Sequence, residues 1–253
     1  MRILEPLLQR MPTRISNRPI IGDELDVSFV KKGGWLGANL PPRFVPPMLP
    51  IHESVEERAN ETQLSGDRPL WEGYRLLKGY KITHGTRRPN EVRSEAQLGR
   101  LYSWLAGQRD EDVIVEFGTA FGVSGMYWLS GMQKGRLYTF EPNANWAASA
   151  EQNLRSVSDR FTLTVDTFEA AGPKLLAPAS VGIAFVDAIH ASDFVFRQYE
   201  ILKPLMKRGG LVIFDDIHFS WDMRRCWRQI ARDPSLAASA TVTERIGIIE
   251  LPG

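Results

Sequence analysis

Five apolar runs in this sequence stop at a glycine or an acidic side chain, and each stop is a place where chemistry can be done. Val113-Ile114-Val115 leads through Glu116 and Phe117 into Gly118-Thr119-Ala120-Phe121-Gly122-Val123-Ser124. Leu137 to Phe140 ends at Glu141, Phe161 to Val165 at Asp166-Thr167, Val181 to Val186 at Asp187, and Leu211 to Phe214 at Asp215-Asp216. Glycines at 118 and 122 let the backbone turn sharply beneath a ligand. A carboxylate such as Glu141, 23 residues after Gly118, can accept two hydrogen bonds from a ribose diol. Asp187, Asp215 and Asp216 are hard oxygen ligands of the kind that Mg²⁺ or another divalent cation takes. In the plainer alternative, Asp215 caps a turn or helix start and Asp187 bonds the loop backbone. His190 and His218 each follow one of these acids by three residues, and either imidazole can take a proton near neutrality.

The elements that must carry these residues are read from periodicity. The branched run at 113–115 suits a strand buried on both faces. Strands are expected at 113–117, 137–140, 161–165, 181–186 and 211–214, with a terminal strand at 246–251. Between them the pattern predicts helices starting near Ser124, Asn145, Phe168 and Ser192, and a last helix over 220–232. Strand and helix alternate five times, which implies right-handed crossovers and a doubly wound, mostly parallel α/β sheet with an antiparallel C-terminal strand. Ligands collect at the carboxyl edge of such a sheet, where all the strand-end acids fall. Ahead of the sheet, Ser94-Glu95-Ala96-Gln97 has the form of a capping box, and Leu98, Leu101, Tyr102 and Leu105 repeat at helical spacing until Gly107. Residues 91–253 are thus read as the ligand-binding domain. Residues 1–90 are read as an irregular cover segment, broken by Gly33-Gly34, Pro41-Pro42, Pro46-Pro47 and Pro50. Its predicted features are a short helix carrying Leu4, Leu7, Leu8 and Met11, an amphipathic turn at Tyr74, Leu76, Leu77 and Tyr80, and the apolar anchors Trp35, Phe44 and Trp71.

Composition sets outer bounds. The 253 residues are 43% hydrophobic and 24% charged, as in an ordinary soluble globule large enough to bury a core. Lys and Arg number 31 against 30 acids, so no global charge draws the chain to nucleic acid or to an acidic membrane. No apolar run approaches the ~20 residues of a membrane span. The single cysteine, Cys226, excludes an intramolecular disulfide and any multi-cysteine metal site, which fits a reducing, cytoplasmic setting. The glycine loop fails two common nucleotide signatures. A dinucleotide fingerprint needs glycine at 120 and glycine or alanine at 123, where Ala120 and Val123 stand, and no Gly-Lys-Ser/Thr triplet closes a phosphate loop. A nucleoside suits Gly118-x-x-x-Gly122 better than a pyrophosphate.

In sequence, Val113 to Ser124 resembles the first motif of class I S-adenosylmethionine-dependent methyltransferases. Phe185-Val-Asp187-Ala-Ile-His190, Leu202-Lys-Pro and Gly209 to Asp216 resemble the fourth and fifth strands of their small-molecule O-methyltransferase branch. The resemblance implies S-adenosylmethionine as cofactor. Glu116, Gly118, Thr119, Gly122 and Ser124 would lie at its methionine moiety, Glu141 at the ribose, and Asp166 and Thr167 near the adenine. Asp187 would stand beside cofactor and acceptor, with His190 as base. The metal-dependent members present Asp, then Asp-Asn; Asp216 here takes the place of Asn. The expected reaction is methyl transfer to a hydroxyl of a small-molecule acceptor. N-methyl transfer, sugar O-methyl transfer and a non-catalytic S-adenosylmethionine-binding role stay open. The N-terminal segment is of a kind that can exchange across a homodimer.

Overall fold

A computed structural model describes residues 22–76 and 85–253. In chain order the elements are β1 (Leu25–Lys31), α1 (Gly34–Asn39), β2 (Arg43–Phe44), α2 (Ile51–Gln63), β3 (Arg68–Pro69), β4 (Thr86–Arg87), α3 (Ala96–Arg109) and β5 (Val113–Phe117). They continue with α4 (Val123–Gly131), β6 (Arg136–Phe140), α5 (Ala144–Arg155), β7 (Phe161–Thr164), α6 (Phe168–Leu175) and β8 (Val181–Val186). The chain ends with α7 (Ser192–Leu202), β9 (Met206–Phe214), α8 (Trp221–Ala231), β10 (Ala238–Val242) and β11 (Ile246–Glu250).

The strands of the main sheet run in the order β2-β1-β10-β11-β9-β8-β5-β6-β7. From β9 to β7 the pairing is parallel, and from β11 outward to β2 it is antiparallel. The doubly wound expectation holds. After β5 the chain builds outward through β6 and β7, then returns to lay β8 on the other side of β5. That reversal makes the carboxyl ends of β5 and β8 the switch point at which such sheets bind ligands.

Period-two alternation assigns the two faces of the sheet. Ile114, Ile183, Phe185, Leu211 and Ile213 pack with α3 and α4 on one side, whereas Val115, Phe117, Ala184, Val186, Val212 and Phe214 pack with α6, α7 and α8 on the other. All six residues of β8 are buried, as a run without polar alternation predicts. Helix α8 covers its side with Met223, Cys226, Trp227 and Ile230, and its first turn is capped by Ser220, whose Oγ accepts from Met223 N at 3.1 Å.

The segment before residue 91 is more regular than its prolines suggest. β1 pairs antiparallel with β10, Val27 opposite Val242 and Phe29 opposite Ala240, and so extends the main sheet. Helix α2 buries His52, Val55 and Ala59, and Tyr127 of α4 donates its hydroxyl to Glu56 Oε1 at 2.7 Å. Pro41, Pro42, Pro46, Pro47 and Pro50 fall in the connections between these elements and bound them without breaking them. The helix expected around Leu4 to Met11, and Leu77 and Tyr80 of the expected turn, lie outside the described residues. At α3 the capping box does not form. The helix starts at Ala96 with no side-chain cap, Glu95 turns toward Arg245, and the end comes at Arg109, with Asp110 in the left-handed region. β10 is a strand that the apolar pattern did not announce.

Candidate active site

The glycine loop is held from three sides. Gly118 N and Thr119 N both donate to Phe140 O, at 3.0 and 3.2 Å, and Gly122 N donates to Thr119 O at 2.8 Å. Gly118 has φ +84°, and a Cβ there would stand 2.3 Å from the carbonyl oxygen of Asp187. The loop therefore presses against the end of β8, which only a glycine allows.

A cavity of about 220 Å³ opens over this contact. Gly118, Glu141, Thr167, Phe168 and Ala188 line it, with Trp71 and Tyr74 from the N-terminal segment and Gln198 from α7. A larger hollow of about 450 Å³ lies elsewhere, between α5 and β7. Its Arg155 is already paired with Glu151 and Asp159, so the smaller cavity, at the strand ends, is the one that adjoins the chemistry.

Glu141 sits at the cavity wall. Its Oε2 accepts from Ala120 N at 2.9 Å and its Oε1 from Asn143 N at 2.8 Å. Burial pushes the carboxyl up to about 7, against the pull of these two hydrogen bonds. Gln198 was not anticipated. Its Nε2 donates to Glu169 Oε1 at 2.9 Å, and since a carboxylate only accepts, that bond fixes the amide orientation. Gln198 Oε1 is left buried and without a protein partner.

Other expected cofactor contacts do not reach the cavity wall. Side chains alternate along β5, so Glu116, next to Phe117, points to the opposite face, under α4. It is fully buried there; Thr139 Oγ1 donates to its Oε2 at 2.7 Å, Thr119 Oγ1 lies 2.5 Å from Thr139 Oγ1, and Glu116 Oε1 has no partner. Ser124 belongs to this buried group, and Gly122 is packed against Ala150. Asp166 is exposed, its Oδ1 accepting from Thr167 N at 2.7 Å. Asp187 borders the loop through its backbone, and its side chain joins the acids described next.

At the ends of β8 and β9, Asp187, Asp215, Asp216 and His190 do come together. His190 Nε2 lies 3.5 Å from Asp216 Oδ2 and 3.8 Å from Asp187 Oδ1. A residue that the sequence did not point to stands among them. Arg245 Nε and Nη2 donate to the two oxygens of Asp215, each at 3.0 Å, while Nε also lies 3.2 Å from Asp216 Oδ1. The sheet register explains the meeting. Gly247 of β11 pairs with Phe214 of β9, so the antiparallel strand carries Arg245 past the end of β9 to its two aspartates. Burial alone would raise Asp215, but the charge and hydrogen bonds of Arg245 outweigh it and hold the carboxyl below its usual value. Asp187 is raised well above the carboxylate range, by burial first and then by the neighbouring Asp215 and Asp216 charges.

This arrangement does not fit the divalent cation expected from three acids. Both oxygens of Asp215 face the Arg245 guanidinium, whose positive charge repels a cation there, and among the described residues no group of three or more His, Cys, Asp or Glu side chains is arranged to hold a metal ion. Sequence spacing could not reveal the guanidinium, because Arg245 and Asp215 meet only through strand register. His218 is turned elsewhere: its pKa is lowered by burial and then by Arg224 of α8, and its Nδ1 has no partner. Cys226 is buried, its thiol pushed up to about 12 by burial and by Asp222.

The strand order, together with a glycine loop and a strand-end acid at the switch point, defines a class I methyltransferase fold. Residues 115–217 match the family model described as a methyltransferase domain. Over 145 residues the chain is 31% identical to a putative O-methyltransferase of Mycobacteroides abscessus, a match that covers 55% of this chain and 64% of that relative's length. Among solved structures, the O-methyltransferase TomG of Streptomyces achromogenes, in complex with S-adenosylmethionine, is 19% identical with a TM-score of 0.57, covering 83% of this chain and 93% of its own. An O-methyltransferase from Bacillus cereus, in complex with S-adenosylhomocysteine, is 17% identical with a TM-score of 0.54, covering 85% and 95%. Residues 115–217 are thus similar to a methyltransferase domain, the fold is that of the solved methyltransferases, and the chain spans just under two thirds of the length of the curated relative it matches. Among the described residues no helix is long and apolar enough to cross a membrane.

Proposed function

We propose that this chain is a cytoplasmic enzyme that transfers the methyl group of S-adenosylmethionine to a hydroxyl of a small-molecule acceptor. One observation carries the reading: a cavity lined by Gly118 and Glu141 opens at the β5–β8 switch point, and its wall at Ala188 and Ile189 leads directly to His190 and the acids around it. The residues present fit the nucleoside of the cofactor. Glu141 keeps lone pairs for a ribose diol beyond those used by Ala120 N and Asn143 N. Gln198 Oε1, buried and unpartnered, suits the exocyclic amine of an adenine. The aromatic ring of Trp71, at the cavity wall, suits a flat base.

When bound, S-adenosylmethionine supplies a methyl group on a sulfonium whose departure leaves a neutral thioether, so no group is required to protonate the leaving sulfur. What remains for the protein is alignment and removal of the acceptor proton. His190 presents Nε2 to Asp216 and Asp187, and its Nδ1 is the nitrogen that takes the proton from the acceptor hydroxyl. The imidazolium then faces the Asp216 carboxylate.

Titration calorimetry with S-adenosylhomocysteine and with NAD tests the cofactor, with binding of the first alone expected. Tight NAD binding would sink the reading. Glu141→Gln should weaken S-adenosylhomocysteine by about 10-fold or more, the scale of one lost hydrogen bond to a charged group. Methyl incorporation is then followed across a panel of hydroxylated and amine acceptors. Turnover confined to amines would replace O- by N-methyl transfer, and cofactor binding without any turnover would favour a binding protein.

A further inference from the structure

The acids at the ends of β8 and β9 need a positive partner, and the chain supplies its own. Arg245 makes a two-bond fork to Asp215, shares its Nε with Asp216, and points Nη1 toward Glu95 Oε1 at 3.6 Å. The pair is well shielded from water, with side-chain exposures of 16% for Arg245 and 4% for Asp215. A planar guanidinium matched to a carboxylate in this way is a fixed, directional cation.

Arg245 follows the two central residues of the turn that joins β10 to β11, a turn closed by Arg245 N donating to Val242 O at 3.0 Å. Thr243 and Glu244, the residues before Arg245 in the β10–β11 turn, have φ of +49° and +58°, and Asp216 has φ of +52°. Residues with a side chain avoid this region unless their surroundings impose it. Here Ile217 N donates to Arg245 O at 3.0 Å and Thr243 N to Asp26 O at 2.8 Å, which ties the turn to β1 and to the end of β9. These bonds fix where the hairpin places Arg245 relative to the end of β9.

We infer that Arg245 is a positioning residue that takes the place of a divalent cation, so that acceptor activation proceeds without a metal ion. The inference rests on the methyl-transfer reading for its catalytic consequence, but the absence of metal binding can be tested separately. By holding Asp216 Oδ1, Arg245 Nε turns Oδ2 toward His190 Nε2, 3.5 Å away. In the step this serves, the acceptor O–H proton passes to His190 Nδ1 and the oxygen forms its bond to the methyl carbon. The carbon–sulfur bond breaks with its electron pair remaining on sulfur, and the new imidazolium is balanced by Asp216. A divalent cation approaching within ~2.0–2.6 Å of the Asp215 oxygens would be repelled by the guanidinium charge that faces them.

The experiment titrates the full chain with Mn²⁺, followed by electron paramagnetic resonance, and measures methyl transfer with and without a chelator. The wild-type chain should take up no stoichiometric Mn²⁺ at millimolar concentration, and its turnover should change less than about 2-fold on chelation. Arg245→Ala removes the cation from a cluster of acids and should bind one Mn²⁺ per chain while losing about 100-fold or more in turnover, part of which Mn²⁺ restores. Arg245→Lys, which keeps the charge without the fork, should fall between the two and still exclude Mn²⁺. One Mn²⁺ bound tightly by the wild-type chain would overturn the inference, as would a folded Arg245→Ala chain with full activity and no Mn²⁺. Should Arg245→Ala not fold, wild-type titration and Arg245→Lys decide the matter. Failure of S-adenosylhomocysteine to bind would remove the methyl-transfer reading, and the Mn²⁺ titrations would still decide whether the guanidinium excludes a cation.

Discussion

Glu116 shows how one atom's direction changes a residue's meaning. Its carboxyl is pushed from 4.5 up to about 7 by burial, against the pull of hydrogen bonds from Ser124 and Thr139. The protonated form is the one the fold favours. Its contribution is therefore fully present below pH 4.5, the unfolded value, declines as the pH rises through about 7, and is absent above that. A shift of this size corresponds to about 3 kcal/mol. Urea unfolding at pH 5 and pH 8 should show the wild-type chain losing about 2.5 kcal/mol more than Glu116→Gln over that interval, the rest being lost already below pH 5. Identical losses in both chains would mean that the acid is not buried as described. The presence of an acid at this position is legible from the motif, but its neighbour Phe117 faces the cavity side, and strand alternation turns Glu116 to the other face.

Two glycines with nearly the same backbone separate torsion from packing at the level of the elements. Gly118 and Gly209 have φ of +84° and +69°, yet a Cβ at Gly118 would lie 2.3 Å from Asp187 O, whereas one at Gly209 meets nothing within 4 Å. Gly209→Ala should cost about 1 kcal/mol for the left-handed torsion alone. Gly118→Ala adds a clash between the ends of β5 and β8 and should cost at least about 2–3 kcal/mol, lowering Tm by roughly 4–12 °C for a chain of this size. Equal shifts in a thermal scan would refute the close approach. The sequence marks both positions as glycine, but only the neighbouring strand end distinguishes them.

The N-terminal segment belongs to the fold of the whole molecule. Leu25 is fully buried in β1, His52 Nε2 lies 3.0 Å from Ser103 Oγ, and Arg58 Nε donates to Asn153 Oδ1 at 2.7 Å. A chain reduced to residues 91–253 would bare the edge of β10 and the surface of α4 that α2 covers. Unpaired strand edges and exposed apolar surface favour aggregation. Such a chain should be recovered mostly insoluble, or without near-ultraviolet circular dichroism. A soluble, cooperatively unfolding product would show that residues 91–253 fold by themselves.

The sequence by itself determined the parallel half of the sheet, its crossover helices, the glycine loop and the acid at Glu141. These depend on unbroken apolar runs, on strand-length periodicity and on the short step from a strand to the loop after it, all of which are local. Only the tertiary structure decided that β1 seals β10, that Gln198 beside the cavity keeps a buried acceptor oxygen without a protein partner, and that Arg245 stands where three aspartates alone suggested a metal ion. Val27 pairs with Val242, and Arg245 meets Asp215 across the β9–β11 register. Contacts of this kind arise from strand order and register between distant segments, and the spacing of residues along one chain does not encode which strands will lie side by side.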